Sequence, residues 1–318
     1  VDAYGVDEAF DCASAAARDG WDFPPLRRVL QGTVTSRGTW KGEPPDFTDD
    51  LTRARLNILE RRGRWQEYLF LAEAEGQDLA YTTMLVRLNR VQEAIDYGVR
   101  GLATPQEALT LATTLSEHGE RAQSLRIAEH GLTLEGPKAA LAKWLREQAE
   151  AQHQPELALT AAEYAFRAEM TLDNYQRVAE LAGEQWPARR QALLEDARTT
   201  RGYPTEGRIA VFLHEHLADD AIAALEPYAG HELIARVADA VLTERPEWVI
   251  QTSRKQAESI MDSGKAQYYT SAANWLKKAH DAYQVLQRED EWRVYLDELI
   301  KTHARKYKLL PLLEAFRH

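Results

Sequence analysis

The sequence predicts an all-α protein, a right-handed solenoid of antiparallel helix hairpins. Ala, Leu, Glu, Arg and Gln, which favour helices, dominate the chain, and β-branched runs are nearly absent. Apolar residues recur every three or four positions, as in the stripe from Tyr268 through Trp275 to Leu286. Similar segments also recur along the chain. Because one hairpin cannot bury its apolar face alone, successive hairpins are expected to stack.

Residues 1–48 are predicted to form an N-terminal helical segment followed by a loop. Residues 3–18 and 26–30 have helical composition, and the Gly- and Pro-containing stretch Gly32–Pro45 predicts an ordered loop. The repeats are expected to begin near residue 49, where the side chain of Asp49 or of Asp50 could cap a helix.

Residues 49–228 are predicted to form the repeat array, and residues 229–318 a cap of longer helices. Adding 34 to the residue numbers of one set of apolar or small residues gives a second such set. The two sets are Ala108, Leu111, Leu115, Leu125, Ala128 and Gly131, then Ala142, Leu145, Ala149, Leu159, Ala162 and Ala165. Shifts by 30 and by 26 connect earlier segments. A further shift by 34 gives, with fewer matches, Gln176, Ala179, Gly183, Leu193, Asp196 and Thr199. The small residues should let the helices of a hairpin approach closely, and the leucines should fill the groove between neighbouring helices.

The period of 34 and the alternation of small and large residues resemble tetratricopeptide repeats (TPR). The residues that fit the TPR pattern are Ala108, Leu111, Ala112, Leu115, Ser124, Ala128 and Gly131. A large aromatic residue is usual at the position of Ala108, so the match is TPR-like. The resemblance implies a TPR-like α-solenoid.

Several C-terminal segments resemble the helical region of bacterial SWIM zinc-finger family proteins. These segments are 247–250, 257–265, 268–269, 275–279, 291–296 and 303–309, and segments 20–22, 54–61 and 66–69 resemble the middle region of the same family. The family's zinc motif, Cys-x-Cys followed by Cys-x-His, is absent because Cys12 is the only cysteine. The resemblance implies that this chain is a piece of a longer protein, downstream of the zinc finger. A first residue that is Val1 and not Met agrees with this expectation. The resemblance also implies an interaction scaffold and supplies no catalytic positions.

The composition disfavours several function classes. The 39 basic and 50 acidic residues give a net charge of −11, which opposes simple binding to a phosphate backbone. No apolar run approaches the roughly 18 residues of a membrane span. One cysteine excludes an internal disulfide and suits a reducing compartment, so a cytoplasmic protein is expected.

The residue clusters that could carry chemistry are better interpreted as structural. His214 and His216 are two positions apart, whereas two zinc ligands on one helix face need a spacing of four. Gly264 before Lys265 lacks the rest of a phosphate loop and suits a helix C-terminus. Cys12 has no neighbouring base that could activate it. We therefore expect no catalytic residue, no metal site and no cofactor.

Two basic clusters and the tryptophans leave alternatives open. The clusters could meet an acidic or phosphate partner, but a solvated, salt-bridged helix face is favoured for both. They comprise Arg53, Arg55, Arg61, Arg62 and Arg64, then Lys301, Arg305, Lys306 and Lys308. Trp144, Trp275 and Trp292 lie on apolar stripes and are expected in the core. Trp21 and Trp40 could hold the N-terminal loop in place, which is favoured, or form a partner pocket.

The sequence therefore predicts a non-enzymatic scaffold for protein–protein interaction. In a stack of hairpins the first helix of each pair lines the concave face, where mixed charge suits an extended peptide or a partner helix. The residues predicted to bind the partner there are Thr113, Glu117, Lys143, Glu147, Glu150 and Arg177. A nucleic-acid-associated repeat module acting with a DNA-binding zinc finger is the alternative, and an enzyme with an unrecognised site is a third class.

Overall fold

The computed structural model describes residues 20–34, 38–40, 46–201, 205–225 and 229–317, which contain helices and turns but no strand. The all-α class with helices packed in neighbouring pairs is therefore confirmed. The helix predicted over residues 3–18 lies outside the described residues, as does Cys12. The chain divides after Ala168 into two compact units. This division differs from the boundaries at 48/49 and 228/229, which stay predictions.

In the described part of the first unit, a short helix precedes four helix hairpins. The helices are α1 (Pro24–Leu30), α2 (Thr48–Arg61), α3 (Trp65–Ala74), α4 (Asp78–Arg87), α5 (Val91–Gly101), α6 (Pro105–Glu117), α7 (Arg121–Gly131), α8 (Ala139–Ala151) and α9 (Pro155–Ala168). They pair in order, α2 with α3 through α8 with α9. First helices also pack on first helices, α4 on α6 and α6 on α8, so these hairpins stack as predicted. Helix α1 packs on α3 and buries Leu26 and Val29 in the same core.

A three-residue turn with a left-handed central residue joins the two helices of each hairpin in this unit. The central residues are Gly63, Asn89, Gly119 and His153. In the first turn, the Arg64 N–H donates to the Leu59 carbonyl at 3.0 Å, the 6→1 bond of a Schellman motif, and the other turns repeat it. The numbers of successive central residues differ by 26, by 30 and by 34. The three shifts found in the sequence are thus the spacings between equivalent turns.

Small residues allow close packing where the repeat pattern predicts it. All residues of the two superposed sets are buried. A Cβ added at Gly131 would lie 2.5 Å from the Cβ of Ala108 and 2.7 Å from Cδ2 of Leu141. Helices α6 and α7 can therefore approach this closely only because position 131 has no side chain.

In the second unit the described helices also form two layers. They are α10 (Leu172–Ala182), α11 (Trp186–Thr199), α12 (Glu206–His214), α13 (Ala218–Ala223), α14 (His231–Ala240), α15 (Pro246–Asp262), α16 (Tyr269–Val285), α17 (Glu289–Thr302) and α18 (Leu310–Glu314). The even-numbered helices are the first members of successive pairs, and each packs on the next, from α10 on α12 to α16 on α18. Helices α15 and α16, each 17 residues long, pack along each other.

Two predictions about register are wrong. Gln176 and Gly183, which continue the shift by 34, are exposed, and the buried positions of α10 are Tyr175, Val178 and Ala182. Helix α8 begins at position 139 and α10 at position 172, one position earlier than a shift by 34 requires, so the apolar face of α10 is displaced by one residue. Helix α2 begins at Thr48, so Asp49 and Asp50 lie in its first turn, near the positive end of the helix dipole, and neither side chain caps it.

Candidate functional site

The structure places the predicted partner-binding residues on first helices of hairpins. Five of them lie on α6 and α8, which pack side by side in the first unit, and the sixth lies on α10 in the second unit. Glu117, Lys143 and Glu147 are exposed, whereas the Thr113 hydroxyl donates to the Leu109 carbonyl at 2.8 Å.

Three of the predicted charged residues are engaged within their own helices. Glu150 pairs with Arg146 at 3.5 Å, and Arg177 pairs with Glu180 at 2.5 Å. Glu147 also pairs with Arg146, at 3.3 Å. The Arg177–Glu180 pair is exposed and contributes little to stability, so a partner could displace it at small cost, whereas the Arg146 side chain is only 14% exposed. Binding by the six residues stays a prediction.

A groove of about 530 Å³ lies between α14 and α16, two first helices of the second unit. Its lining residues are His231, Glu232, Ala235 and Asp239 from α14, and Ser271, Asn274, Trp275, Lys277, Lys278 and Asp281 from α16. None of the lining residues comes from the second helices α15 and α17. The groove therefore opens on the outer side of the first-helix layer.

The two walls of this groove differ in helix length and in side-chain size. Helix α14 has 10 residues against 17 in α16, so at 1.5 Å per residue α16 extends about 10 Å further along the layer. Ala235 presents only a methyl group, and Trp275 is 5% exposed. Lys278 and Asp239 form an ion pair that joins the two walls.

Most polar groups of the groove are unused. Among the described residues, the side chains of Glu232, Asn274, Lys277 and Asp281 form no hydrogen bond or ion pair with one another or with other side chains. The Asp239–Lys278 pair cancels its own charge. The groove thus offers an amide, one ammonium group and two carboxylates to a ligand, besides the His231 imidazole and the Ser271 hydroxyl.

A second groove, of about 410 Å³, lies on the opposite helix layer of this unit between α15 and α17. Its polar groups are largely committed. The Arg254 guanidinium lies 3.9 Å from the centre of the Tyr295 ring and donates to the Tyr283 hydroxyl at 3.3 Å. The Tyr295 hydroxyl donates to Glu258 at 2.8 Å. Burial is the main reason that the pKa of Tyr295 lies well above its usual value, and the hydrogen bond to Glu258 raises it further. We interpret this cluster as a tie between helices.

A half-buried network that sequence reasoning missed joins α10, α11 and the end of α12. The Tyr175 hydroxyl donates to Glu215 Oε1, and the Arg190 Nε donates to Oε2, both at 2.6 Å. Burial alone raises the pKa of the Glu215 carboxyl, but the hydrogen bonds from Arg190 and Tyr175 outweigh it and hold the pKa below its usual value. The partners are 40 and 25 positions away from Glu215, so no local spacing could reveal them.

The structure supports the structural interpretation of the histidine and glycine motifs. His214 is the exposed last residue of α12, and His216 has a φ of 56° in the following turn. Gly264 has a φ of 69° directly after the end of α15. Among the described residues, no group of three or more His, Cys, Asp or Glu is placed to hold a metal ion.

The first basic cluster is only partly a solvated face. Arg53 pairs with Asp50 at 3.0 Å, and Arg64 donates to Glu67 at 2.9 Å, as predicted. Arg55, however, is only 6% exposed. Residues three to four positions apart share one face of a helix, and position 55 lies on the same face of α2 as the buried residues Leu51 and Leu59.

The second basic cluster and the tryptophans behave largely as predicted. Lys301, Arg305 and Lys308 are exposed, whereas the Lys306 ammonium donates to a carbonyl of the last turn of α15 at 2.7 Å. Trp275 and Trp292 are buried, and Trp144 packs against the core of the first unit. Trp21 packs partly buried on the same core, and the Trp40 indole donates to Glu75 at 3.2 Å, consistent with holding the loop in place.

No protein-family model matches the chain, and no curated protein matches it significantly. Within the described residues, every helix is too short or too polar to cross a membrane.

Proposed function

We propose that this chain is a non-enzymatic helical-repeat module that binds protein partners through its first-helix face. The observation that carries the proposal is the open groove between α14 and α16, whose polar groups have few partners within the chain. Unused hydrogen-bonding groups on a rigid helical surface suit recognition, because binding then replaces water without breaking internal contacts. The sequence placed partner binding on first helices, and this groove extends the same principle to the second unit.

The proposal includes membership in the SWIM zinc-finger family and a cytoplasmic location. The family resemblance rests partly on Trp275, Trp292 and Tyr295, which are buried in the second unit, so it concerns the packing of these helices. The single cysteine supports a reducing compartment. Sequencing the gene upstream of this segment tests the family membership, since a Cys-x-Cys…Cys-x-His motif is expected there.

Photo-crosslinking tests the binding function. A photoreactive phenylalanine derivative replaces Asn274 in the groove, and in a second variant it replaces Glu195, an exposed residue of α11 outside the groove. In cells that make the protein, we expect discrete protein adducts from position 274 and none from position 195. Filling the groove with Ala235→Trp should abolish these adducts. Equal adducts from both positions would contradict the proposal.

The nucleic-acid alternative predicts a different result. Adducts at position 274 would then be removed by nuclease, and single-stranded or duplex DNA would bind with an affinity that falls steeply between 50 and 200 mM salt, by about 10³-fold or more for six phosphate contacts. We expect no such binding, because the net charge is −11.

A further inference from the structure

We propose that the groove between α14 and α16 takes an extended peptide segment that carries a lysine or arginine side chain. The inference rests on the proposed function and specifies the partner's chemistry. Three properties of the groove support it: its length, the small number of its apolar lining residues, and the net negative charge of the side chains that form no ion pair within the described residues.

The length of the groove suits a few residues of extended chain. Ser271 and Asp281, the outermost lining residues on α16, are ten residues apart, which corresponds to about 15 Å along a helix. A peptide in extended conformation rises about 3.3 Å per residue, so four to five residues span this distance.

The lining disfavours a helix as occupant. A helix docks through apolar side chains at positions i, i+3 or i+4, and i+7, and these side chains need a row of apolar pockets along the groove. Among the described lining residues, the apolar ones are Ala235 and Trp275, which together form one apolar contact surface in the middle of the groove. An extended peptide is bound mainly through main-chain hydrogen bonds, and the side chains of Ser271 and Asn274 can accept and donate them.

The uncommitted charge selects a cation. Asp239 and Lys278 neutralise each other, which leaves the carboxylates of Glu232 and Asp281 against the single ammonium of Lys277. A guanidinium or ammonium group of the occupant can pair with either carboxylate, whereas an acidic occupant could pair only with Lys277 and would meet an excess of negative charge.

Selection from random decapeptides displayed on phage, with the purified full chain as target, tests this inference. We expect the enriched peptides to contain lysine or arginine and to bind as free peptides. Ala235→Trp should remove the binding, and Asp281→Lys should weaken it at least about tenfold, because it replaces an attraction by a repulsion. Glu195→Lys, the same charge change on α11, should leave affinity within about twofold, and circular dichroism confirms that each variant is folded.

The outcomes separate this inference from the proposed function. Enrichment of acidic peptides, failure to enrich any peptide, or binding that survives both Ala235→Trp and Asp281→Lys would overturn the extended cationic occupant. Protein adducts at position 274 in the crosslinking experiment would still support partner binding in those cases. Loss of the adducts together with the peptides would overturn both.

Discussion

The two units use the same hairpin arrangement but different means of holding helices together. In the first unit, small residues bring backbones close, as at Gly131 against Ala108. The three-residue turn is common to both units, since it recurs in the second unit at His216 and Gln287. In the second unit, large aromatic residues fill the core. The centre of the Trp292 ring lies 5.9 Å from the ring centre of Tyr283, 5.9 Å from that of Tyr295 and 5.8 Å from that of Phe316.

The described groove lies where two helices of unequal length meet. In the first unit, the helices of the four described hairpins have 10 to 14 residues. The second unit mixes helices of 10 and 17 residues, and the groove lies between α14 and α16, one of each length. The groove is therefore found in the less regular unit.

The largest expected effect tests the aromatic core of the second unit. Trp292→Ala should lower the free energy of unfolding by about 3–5 kcal/mol, because it leaves a cavity among fully buried rings. Val294→Ala on the same helix, where the side chain is 63% exposed, should change it by less than about 0.5 kcal/mol. Urea denaturation followed by circular dichroism measures both, and equal effects would show that the rings do not hold this unit.

The next effect concerns the half-buried carboxylate of Glu215. The Glu215 carboxylate accepts hydrogen bonds from the Arg190 guanidinium and the Tyr175 hydroxyl. Glu215→Gln removes its negative charge, so we expect a loss of about 1.5–3 kcal/mol in the free energy of unfolding. The matched control is Glu195→Gln, whose exposed pairing with Arg198 at 3.6 Å should matter by less than about 0.5 kcal/mol. A loss no greater than the control's would mean that the network does not join these helices.

A double-mutant cycle tests close packing in the first unit. Gly131→Ala should cost about 1–3 kcal/mol of unfolding free energy, because the added methyl group overlaps Ala108. Ala108→Gly removes the opposing methyl group, so the double variant should recover about 1 kcal/mol relative to additivity. Strict additivity of the two changes in denaturation experiments would contradict a direct contact.

A smaller effect distinguishes the turns. His153 has a φ of 55°, which strains an L-residue, so His153→Gly should stabilise the protein by about 0.5–1 kcal/mol despite the greater freedom of glycine in the unfolded chain. Gly119 has a φ of 86° with open space around it, and Gly119→Ala should destabilise by about 1 kcal/mol. In thermal unfolding experiments, the midpoint temperature should rise for His153→Gly and fall for Gly119→Ala.

The smallest effect is a pH dependence of the second unit. Burial and the neighbouring Lys306 lower the pKa of His303, against the weaker opposite effect of Asp262 and Glu258. The folded state therefore favours the neutral imidazole, and this stabilisation is present above the usual histidine pKa of about 6.5 and is lost as the pH falls below it. His303→Gln should flatten the pH dependence of the urea midpoint between pH 7.5 and 5.5, whereas exposed His231→Gln should not.

The candidate site shows how far sequence reasoning reached. It predicted binding on first helices, and the groove lies on two of them, but it named residues of α6, α8 and α10. The groove is lined by residues of α14 and α16 that are about 40 positions apart in the chain, and no motif marks them. The Glu215 network was missed for a similar reason, since its partners are distant along the chain.

The sequence by itself determined the helical class, the hairpin pairing and the buried faces, because helix propensity, apolar periodicity and the positions of glycine are local properties. It also contained the turn spacing, although Asn89, His153, His216 and Gln287 occupy left-handed positions where no glycine marks the turn. Only the tertiary structure decided the shift in register at α10, the burial of Arg55 and the groove. Each of these depends on which helices meet at what separation, and that is set by contacts between residues far apart in the chain.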